Sequence, residues 1–206
     1  MTSQHFTRAR LAKSFKAAGV LPITCHQNEA LVLLGGELKR TGPGGKVYKM
    51  LWSDFGGRRE AEDCDVQGCA GREFAEETLG LFGGCEVNAA AVQLSADLMA
   101  EQLRKGLALE VVHELRVGKY HMFVAHTPYI DPLMFHLAVE QNASTAAVSG
   151  AEKTKFAWLP LAQVMGAVGS CIRASQAVYA SHRKQGSARW WQPCVALRNL
   201  KGTRRC

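Results

Sequence analysis

The 206-residue sequence contains no apolar segment long enough to cross a membrane and no stretch that reads as a secretory signal. Its seven cysteines include no CxxC pair, so nothing in their spacing indicates a zinc knuckle. We therefore expect no membrane association, and reduced thiols in an intracellular, cytoplasmic compartment. Internal repeats and low-complexity segments are also lacking, and the length suits one good hydrophobic core.

Acidic residues are missing from both ends of the chain. All eighteen lie between Glu29 and Glu152, where eleven basic residues leave a net charge of −7. The first 28 residues carry four basic residues, and positions 153–206 carry ten. We expect the acidic middle to suit a metal site and the basic tails to suit a polyphosphate or RNA. Ordinary solvated termini are the alternative, and residues 1–16 also have the composition of an organellar targeting segment.

Three glutamates in the acidic middle carry the clearest chemical signal. Glu73, Glu76 and Glu77 stand at i, i+3 and i+4, so a helix brings their carboxylates to one side, within reach of one ion. Hard divalent cations such as Mg²⁺ or Mn²⁺ take oxygen ligands of this kind and keep waters and substrate phosphates in the remaining shell. The spacing therefore predicts a metal site, and a solvated helix face is the alternative.

The residues around these glutamates resemble the Nudix box. That pattern is a glycine, five residues, Glu, seven residues, then Arg-Glu-apolar-x-Glu-Glu-x-Gly-apolar. The run Arg72-Glu73-Phe74-Ala75-Glu76-Glu77 matches directly, and Gly57 matches the opening glycine. The resemblance extends more weakly over about residues 18–165. It implies an α/β fold, an α/β/α sandwich with a mixed sheet.

The chain departs from the box in two places. Gly57 and Arg72 are one residue too far apart, so the first Glu of the pattern has no counterpart in register, and Glu62, Asp63 and Asp65 compete for its role. The closing glycine, Gly80, is also one residue late. Both extra residues fall where a loop meets the helix or where the helix ends, so we expect the glutamate face itself to be undisturbed.

The resemblance also implies a set of functional residues and an activity. The activity is metal-dependent cleavage of a diphosphate linkage in a nucleoside-diphosphate derivative or at an RNA 5′ end. A carboxylate from a loop beyond the box often assists, and Glu152 is the candidate, with Glu140 and Glu114 as rivals and an ordinary surface glutamate as the alternative. The expected site residues are, for catalysis, Glu76, Glu77, Arg72 and Glu152; for substrate, Gly56, Gly57, Arg58 and Arg59; and for metal, Glu73, Glu76, Glu77, Glu62 and Asp63.

Periodicity and turn residues divide the chain into elements and segments. We expect strands at 19–25, 30–36, 48–55, 107–116, 120–126 and 155–158, and helices at 4–17, 65–81, 89–105, 131–141, 160–168 and 171–184. The predicted organisation is a basic N-terminal segment at 1–17, a Nudix domain at 18–170, and a basic C-terminal helix and tail at 171–206.

Two alternatives stay open at this level. The shifted box is also compatible with a non-hydrolytic Nudix-like subunit that binds nucleotide or RNA or joins a larger assembly. Within the basic tail, Arg189-Trp190-Trp191 suits base stacking beside phosphate-binding charge, although such a tryptophan pair is more often packed in a core.

Overall fold

The computed structural model describes residues 15–41, 47–115 and 118–166. In chain order these residues form strands β1 (Phe15–His26), β2 (Glu29–Thr41), β3 (Val47–Ser53) and β4 (Phe55–Arg58), helices α1 (Val66–Glu77) and α2 (Ala89–Arg104), strands β5 (Ala108–Leu115) and β6 (Gly118–His126), helix α3 (Pro132–Thr145) and strand β7 (Lys155–Pro160). Residues 161–166 are helical. No helix among the described residues is long and apolar enough to span a membrane.

The strands form one mixed sheet. Strands β3 and β4 follow each other in the chain with only Asp54 between them, but they pair with different strands. Strand β3 pairs antiparallel with β2, and β4 pairs antiparallel with β1, so the chain crosses from one partner to the other at Asp54. Strand β1 also pairs in parallel with β6, and β7 pairs antiparallel with β2. The central order is β3-β2-β1-β6-β5. The crossing places β4 directly under the candidate site.

The two faces of the sheet carry separate apolar clusters. All three helices pack on the first face, where Phe55, Phe74 and Phe135 are fully buried. Phe55 meets Phe74 edge to face at 6.1 Å, which fixes α1 over β4. The second face centres on Leu21, Val32, Met122 and Val124, and Leu161 and Val164 of the helical segment 161–166 pack against it. Alternate side chains of β1 therefore serve opposite faces, as the pleat requires.

The predicted mixed α/β fold is confirmed, with two corrections to its elements. The helix expected at 4–17 is wrong over 15–17, because β1 begins at Phe15 and pairs there with both neighbours. The single strand expected at 48–55 is broken at Asp54, where the pairing partner changes. The remainder of the 4–17 helix, the 171–184 helix and the tail lie outside the described residues. The three-segment organisation stays a prediction.

Candidate metal centre

Helix α1, which carries the glutamates, begins and ends on local hydrogen bonds. Asp65 caps its N-terminus by accepting a bond from the Gly68 N–H at 2.6 Å. At the other end, the Gly80 N–H donates to the Ala75 carbonyl at 2.8 Å and the Leu79 N–H donates to the Glu76 carbonyl at 3.1 Å. These two bonds form a Schellman motif, which stops the helix just after Glu77.

The Schellman motif explains the late glycine. Its left-handed position, usually a glycine, is held here by Leu79 with φ +59°, and Gly80 follows at φ +73°. Leu79 is 1% exposed, so burial of its side chain offsets the unfavourable backbone angle. The extra residue is thus absorbed after the last box glutamate, and the predicted glutamate face keeps its register.

The glycine pair on β4 lies against that face. The Gly56 N–H donates to Oε2 of Glu77 at 2.8 Å. At Gly57 a β-carbon would overlap the Glu73 carboxylate, lying 2.5 Å from its carboxyl carbon. Gly150, in the loop before β7, approaches from another side, where a β-carbon would lie 3.3 Å from Oε2 of Glu76. Missing side chains at Gly57 and Gly150 thus give the carboxylates of Glu73 and Glu76 room beside backbone, and the Gly56 N–H holds Glu77.

Arg72 connects the loop acids to the helix face. It donates to both carboxylate oxygens of Asp63, at 3.1 and 3.0 Å, to Glu76 at 3.1 Å and to Glu73 at 3.0 Å. A further bond reaches the Arg58 carbonyl at 3.0 Å. Two N–H donors of the planar guanidinium bind Asp63 side by side, and further donors orient Glu73 and Glu76.

Glu77 has a different partner, Lys153, from the loop before β7. The Lys153 ammonium lies 3.4 Å from Oε1 of Glu77 and 3.5 Å from Glu37, and it donates to the Ser53 hydroxyl at 2.8 Å. Both side chains are buried, with 3% of Lys153 and 6% of Glu77 exposed. Sequence reasoning missed this contact. Its only signal was that Lys153 directly follows the candidate Glu152.

Burial governs the protonation of the three glutamates. It raises the pKa of Glu73 and of Glu76, against the opposing effect of Arg72. It raises the pKa of Glu77 to about 7, despite Lys153 and the Gly56 N–H. Asp63 behaves oppositely: burial favours a higher pKa, but bonds from Arg72 and the Glu60 N–H outweigh it and lower the pKa.

The competing loop acids have separate positions. Asp63 is buried on Arg72, Asp65 caps α1 and pairs with Arg104 at 3.0 Å, and Glu62 is exposed. Asp63 is therefore the acid that the structure joins to the box residues. The remaining predicted residues are Arg58, Arg59 and Glu152.

The Arg58 side chain is exposed. The Arg59 guanidinium carbon lies 4.8 Å from the centroid of the Phe15 ring, and the guanidinium donates to the Asp63 carbonyl at 3.3 Å. Glu152 is exposed and lies close to Glu37 of β2. Its rivals Glu114 and Glu140 pair with Lys119 and His136. None of these contacts assigns a catalytic role to Glu152.

The carboxylates suit a hard divalent cation in chemistry, although their present partners are cationic side chains. Within the described ranges, no group of three or more His, Cys, Asp or Glu side chains is arranged to hold an ion. Glu73 and Glu76 turn toward Arg72, and Glu77 turns toward Lys153. Burial raises the pKa of all three, and a bound cation would relieve that cost. Ligation of Mg²⁺ or Mn²⁺ by Glu73, Glu76 and Glu77 stays a prediction, as do the metal roles of Glu62 and Asp63.

Comparison with protein-family models and with curated proteins found no match. Among solved structures, the chain is similar to the Caenorhabditis elegans (C. elegans) Ap4A hydrolase in a binary complex, with 17% identity, a TM-score of 0.40, and coverage of 81% of this chain and 98% of that one. It is also similar to the NUDIX domain of Shewanella oneidensis NrtR with ADP ribose (18% identity, TM-score 0.37, coverage 81% and 88%). A third similar structure is apo T. brucei MERS1 (13% identity, TM-score 0.40, coverage 79% and 65%).

The described residues form a mixed α/β fold with one seven-stranded sheet. Among the similar structures is a NUDIX domain, the family that the box resembles. At these identities and TM-scores the similarity concerns the fold and carries no argument about activity, ligand or partner.

A second polar pair lies at the start of β4, close to the candidate site, and was not expected from sequence. The Tyr120 hydroxyl donates to Asp54 at 2.6 Å, at the point where β3 passes into β4. The same hydroxyl occupies the space that a β-carbon at Gly19 or Gly56 would need. Burial raises the pKa of both partners. Because Gly19 pairs with Gly56 across β1 and β4, this contact helps to fix the strand that presents its N–H to Glu77.

Proposed function

We propose that this Nudix-like protein is a divalent-metal-dependent hydrolase that cleaves a diphosphate linkage in a nucleoside-diphosphate derivative or at an RNA 5′ end. One observation carries the proposal: three glutamates of α1, of which Glu77 is buried and the other two half-buried, face a glycine pair on β4. Arg72 joins Glu73 and Glu76 to a loop acid. The absence of side chains at Gly56 and Gly57 lets the backbone of β4 lie close to β1 and to the Glu73 carboxylate. The geometry suits a polyanion held next to a metal.

Each side chain of the site has a definable task in such a reaction. Glu73, Glu76 and Glu77 would hold Mg²⁺ or Mn²⁺, which neutralises phosphate charge and acidifies the attacking water when bound. Arg72 orients Glu76, at 3.1 Å. Glu76, Glu77 and Glu152 are the candidate bases for proton transfer. The exposed Arg58 side chain is the better placed of the two arginines to meet a phosphate.

A second candidate function is a non-hydrolytic nucleotide- or RNA-binding or assembly subunit. The observation that favours it is the pairing of the glutamates with Arg72 and Lys153, which neutralises their charge without a metal. In that case the site would serve to fix the loop before β7 against α1. Divalent-metal binding and turnover separate the two functions.

The decisive experiment is a phosphate-release screen with Mg²⁺ and with Mn²⁺. Substrates are diphosphate-linked nucleotides and 5′-triphosphate RNA, with a coupled phosphatase where the product is a nucleotide. Glu76→Gln removes one charge while keeping size, so turnover should fall at least about 100-fold with folding intact. Glu140→Gln is the matched control, because Glu140 is an exposed helical glutamate whose partner is His136.

The results divide cleanly. Chelator-sensitive turnover that Glu76→Gln abolishes and Glu140→Gln leaves unchanged supports the hydrolase. No turnover of any substrate, together with nucleotide or RNA binding in the presence of chelator, supports the non-hydrolytic function. Turnover that survives both chelation and Glu76→Gln would place the chemistry elsewhere in the chain.

A further inference from the structure

Lys153 is the least expected residue of the site, because lysine is almost never fully buried without a partner. Its side chain is 3% exposed, and its ammonium group meets three oxygens: Ser53 at 2.8 Å, Glu77 at 3.4 Å and Glu37 at 3.5 Å. The ammonium donates a hydrogen bond to Ser53 and lies within ion-pair distance of the two carboxylates. Lys153 is therefore held in the site from several sides.

The neighbouring strand is shaped to admit this lysine. A β-carbon at Gly35 would lie 2.8 Å from Cγ and 2.9 Å from Cδ of Lys153. The aliphatic stem thus runs through the space that any larger residue on β2 would fill. Glu37, two residues further on the same strand, is itself buried and also accepts from Lys39 at 2.7 Å. The passage at Gly35 and the acceptor at Glu37 together direct the ammonium toward Glu77.

These contacts occupy both oxygens of Glu77. Oε2 accepts from the Gly56 N–H at 2.8 Å, and Oε1 faces the Lys153 ammonium. A divalent cation that binds Glu77 therefore comes close to the positive charge of Lys153. Because both side chains are buried, solvent screens the repulsion between the two cations only weakly. Glu73 and Glu76 face Arg72, whose side chain is 20% exposed and so less tightly enclosed than Lys153.

We propose that Lys153 is a built-in counter-ion that competes with the divalent cation for Glu77 and thereby sets the cation affinity of the site. The inference rests on the proposed metal site and adds a positioning residue to it. Lys153 keeps Glu77 paired until a cation enters. Removing its charge should therefore strengthen cation binding, whereas removing an ordinary structural lysine should leave cation binding unchanged or weaken it.

The test is direct Mn²⁺ titration of the full chain, followed by the electron paramagnetic resonance signal of free Mn²⁺. Lys153→Met should tighten Mn²⁺ binding about tenfold or more. Lys153→Gln keeps a donor for Ser53 without the charge and should show the same direction, which protects the test if the methionine variant folds poorly. Circular dichroism melts in chelator establish that each variant is folded.

Lys39→Met is the matched control. Lys39 bonds to the same Glu37 and carries the same charge, but it is half-exposed and has no ion pair with Glu77. Its removal should change the Mn²⁺ affinity less than about twofold, because solvent screens its charge. Glu77→Gln combined with Lys153→Met closes a double-mutant cycle, in which the gain should disappear.

The outcomes distinguish this inference from the proposed function. Wild-type binding of Mn²⁺ that is unchanged in both Lys153 variants overturns the inference and leaves the metal site standing. A gain that persists in the double variant also overturns it, because the competition is then not at Glu77. Absence of Mn²⁺ binding in every form of the protein overturns the inference and the proposed hydrolase together.

Discussion

Arg72 holds Asp63 with two parallel hydrogen bonds, at 3.1 and 3.0 Å, although nine positions separate them in the chain. The same guanidinium reaches Glu76, so a loop acid outside the helix controls the orientation of a box glutamate inside it. The bond from the Glu60 N–H fixes Asp63 from the other side at 2.8 Å. Of the three loop acids that compete for the role of the first box glutamate, Asp63 is the one that contacts Arg72, so we expect it to fill that role.

Asp63→Asn should be the most damaging of three amide substitutions in the loop. It removes the charge of a buried partner of Arg72, so the free energy of unfolding should fall by about 3 kcal/mol and turnover by about tenfold or more. Glu62→Gln, at an exposed position, should change neither. Asp65→Asn keeps a good cap and loses only the exposed pair with Arg104, so we expect less than about 1 kcal/mol.

Urea denaturation and steady-state kinetics on the three variants provide the measurement. The expected pattern is one variant, Asp63→Asn, impaired in both assays. Small and equal effects at all three positions would mean that no acid in the loop has inherited the role of the displaced glutamate.

Alanine at the two β4 glycines should produce opposite kinds of damage. A β-carbon at Gly57 meets the end of the Glu73 side chain, which can move, so stability should fall by less than about 1 kcal/mol while turnover falls about tenfold or more. A β-carbon at Gly56 would lie 2.6 Å from the Gly19 Cα and 2.7 Å from the Ala18 carbonyl. Backbone cannot yield so easily, and we expect a loss of about 2–3 kcal/mol.

Thermal melts and turnover of the two alanine variants test this contrast. No atom of the described residues lies within 4 Å of a β-carbon at Gly166, so alanine at this position is a control that should affect neither quantity. The interpretation of β4 is wrong if Gly57→Ala lowers stability more than Gly56→Ala.

Stability should depend on pH through Glu77. Its pKa is raised from an ordinary 4.5 to about 7, so the folded protein favours the protonated form. The associated stability is fully present below pH 4.5 and is lost as the pH rises through about 7. Relative to Glu77→Gln, the wild-type protein in chelator should lose about 3 kcal/mol between these values.

Denaturant unfolding at a series of pH values measures this difference. Comparison with Glu77→Gln removes the contributions of Asp54 and Asp63, because both proteins contain these groups. Parallel stability curves across this range would show that Glu77 is ionised as freely in the folded protein as in the unfolded chain.

The basic tail makes a prediction that rests on sequence alone, since it lies outside the described residues. If an RNA contacts the tail, RNA affinity should fall steeply with salt, because each neutralised phosphate releases condensed counterion. Deleting positions 201–206 removes three basic residues and should make the salt slope shallower. Hydrolysis of a compact dinucleotide should barely change.

Filter-binding titrations of full-length and truncated protein at several salt concentrations decide the matter. Absence of RNA binding at low salt, or an identical slope after truncation, would remove the RNA interpretation of the tail and favour a small nucleotide.

Local patterns sufficed for the box helix and its caps. The i, i+3, i+4 spacing of the glutamates, an Asp at the N-cap and glycine near the end predicted α1 within a few residues of Val66–Glu77. The order of the later elements was also close to the observed one. These features depend on neighbours in sequence, which is why sequence reasoning found them.

Features that depend on distant partners were missed. The run beginning at Phe15 has helix-forming lysine and alanine, yet pairing with β4 and β6 makes it a strand. From the sequence alone, Lys153 could not be told from a surface lysine. Only the structure shows that the missing side chain at Gly35 leaves space for the aliphatic part of Lys153. The Asp54–Tyr120 pair joins residues far apart in the chain. No local pattern encodes such contacts.

The close approach of Gly19 to Gly56 has a consequence for any saturation mutagenesis of this chain. A β-carbon at Gly19 would lie 2.6 Å from the Phe55 carbonyl and 2.7 Å from the Gly56 Cα, so even alanine would displace β4 and with it the N–H that Glu77 accepts. Position 19 should therefore score as intolerant as the carboxylates themselves in a functional screen, although it meets no ligand. A map of sensitive positions would therefore include β1 in the site, although it is β4 that lies against the carboxylates.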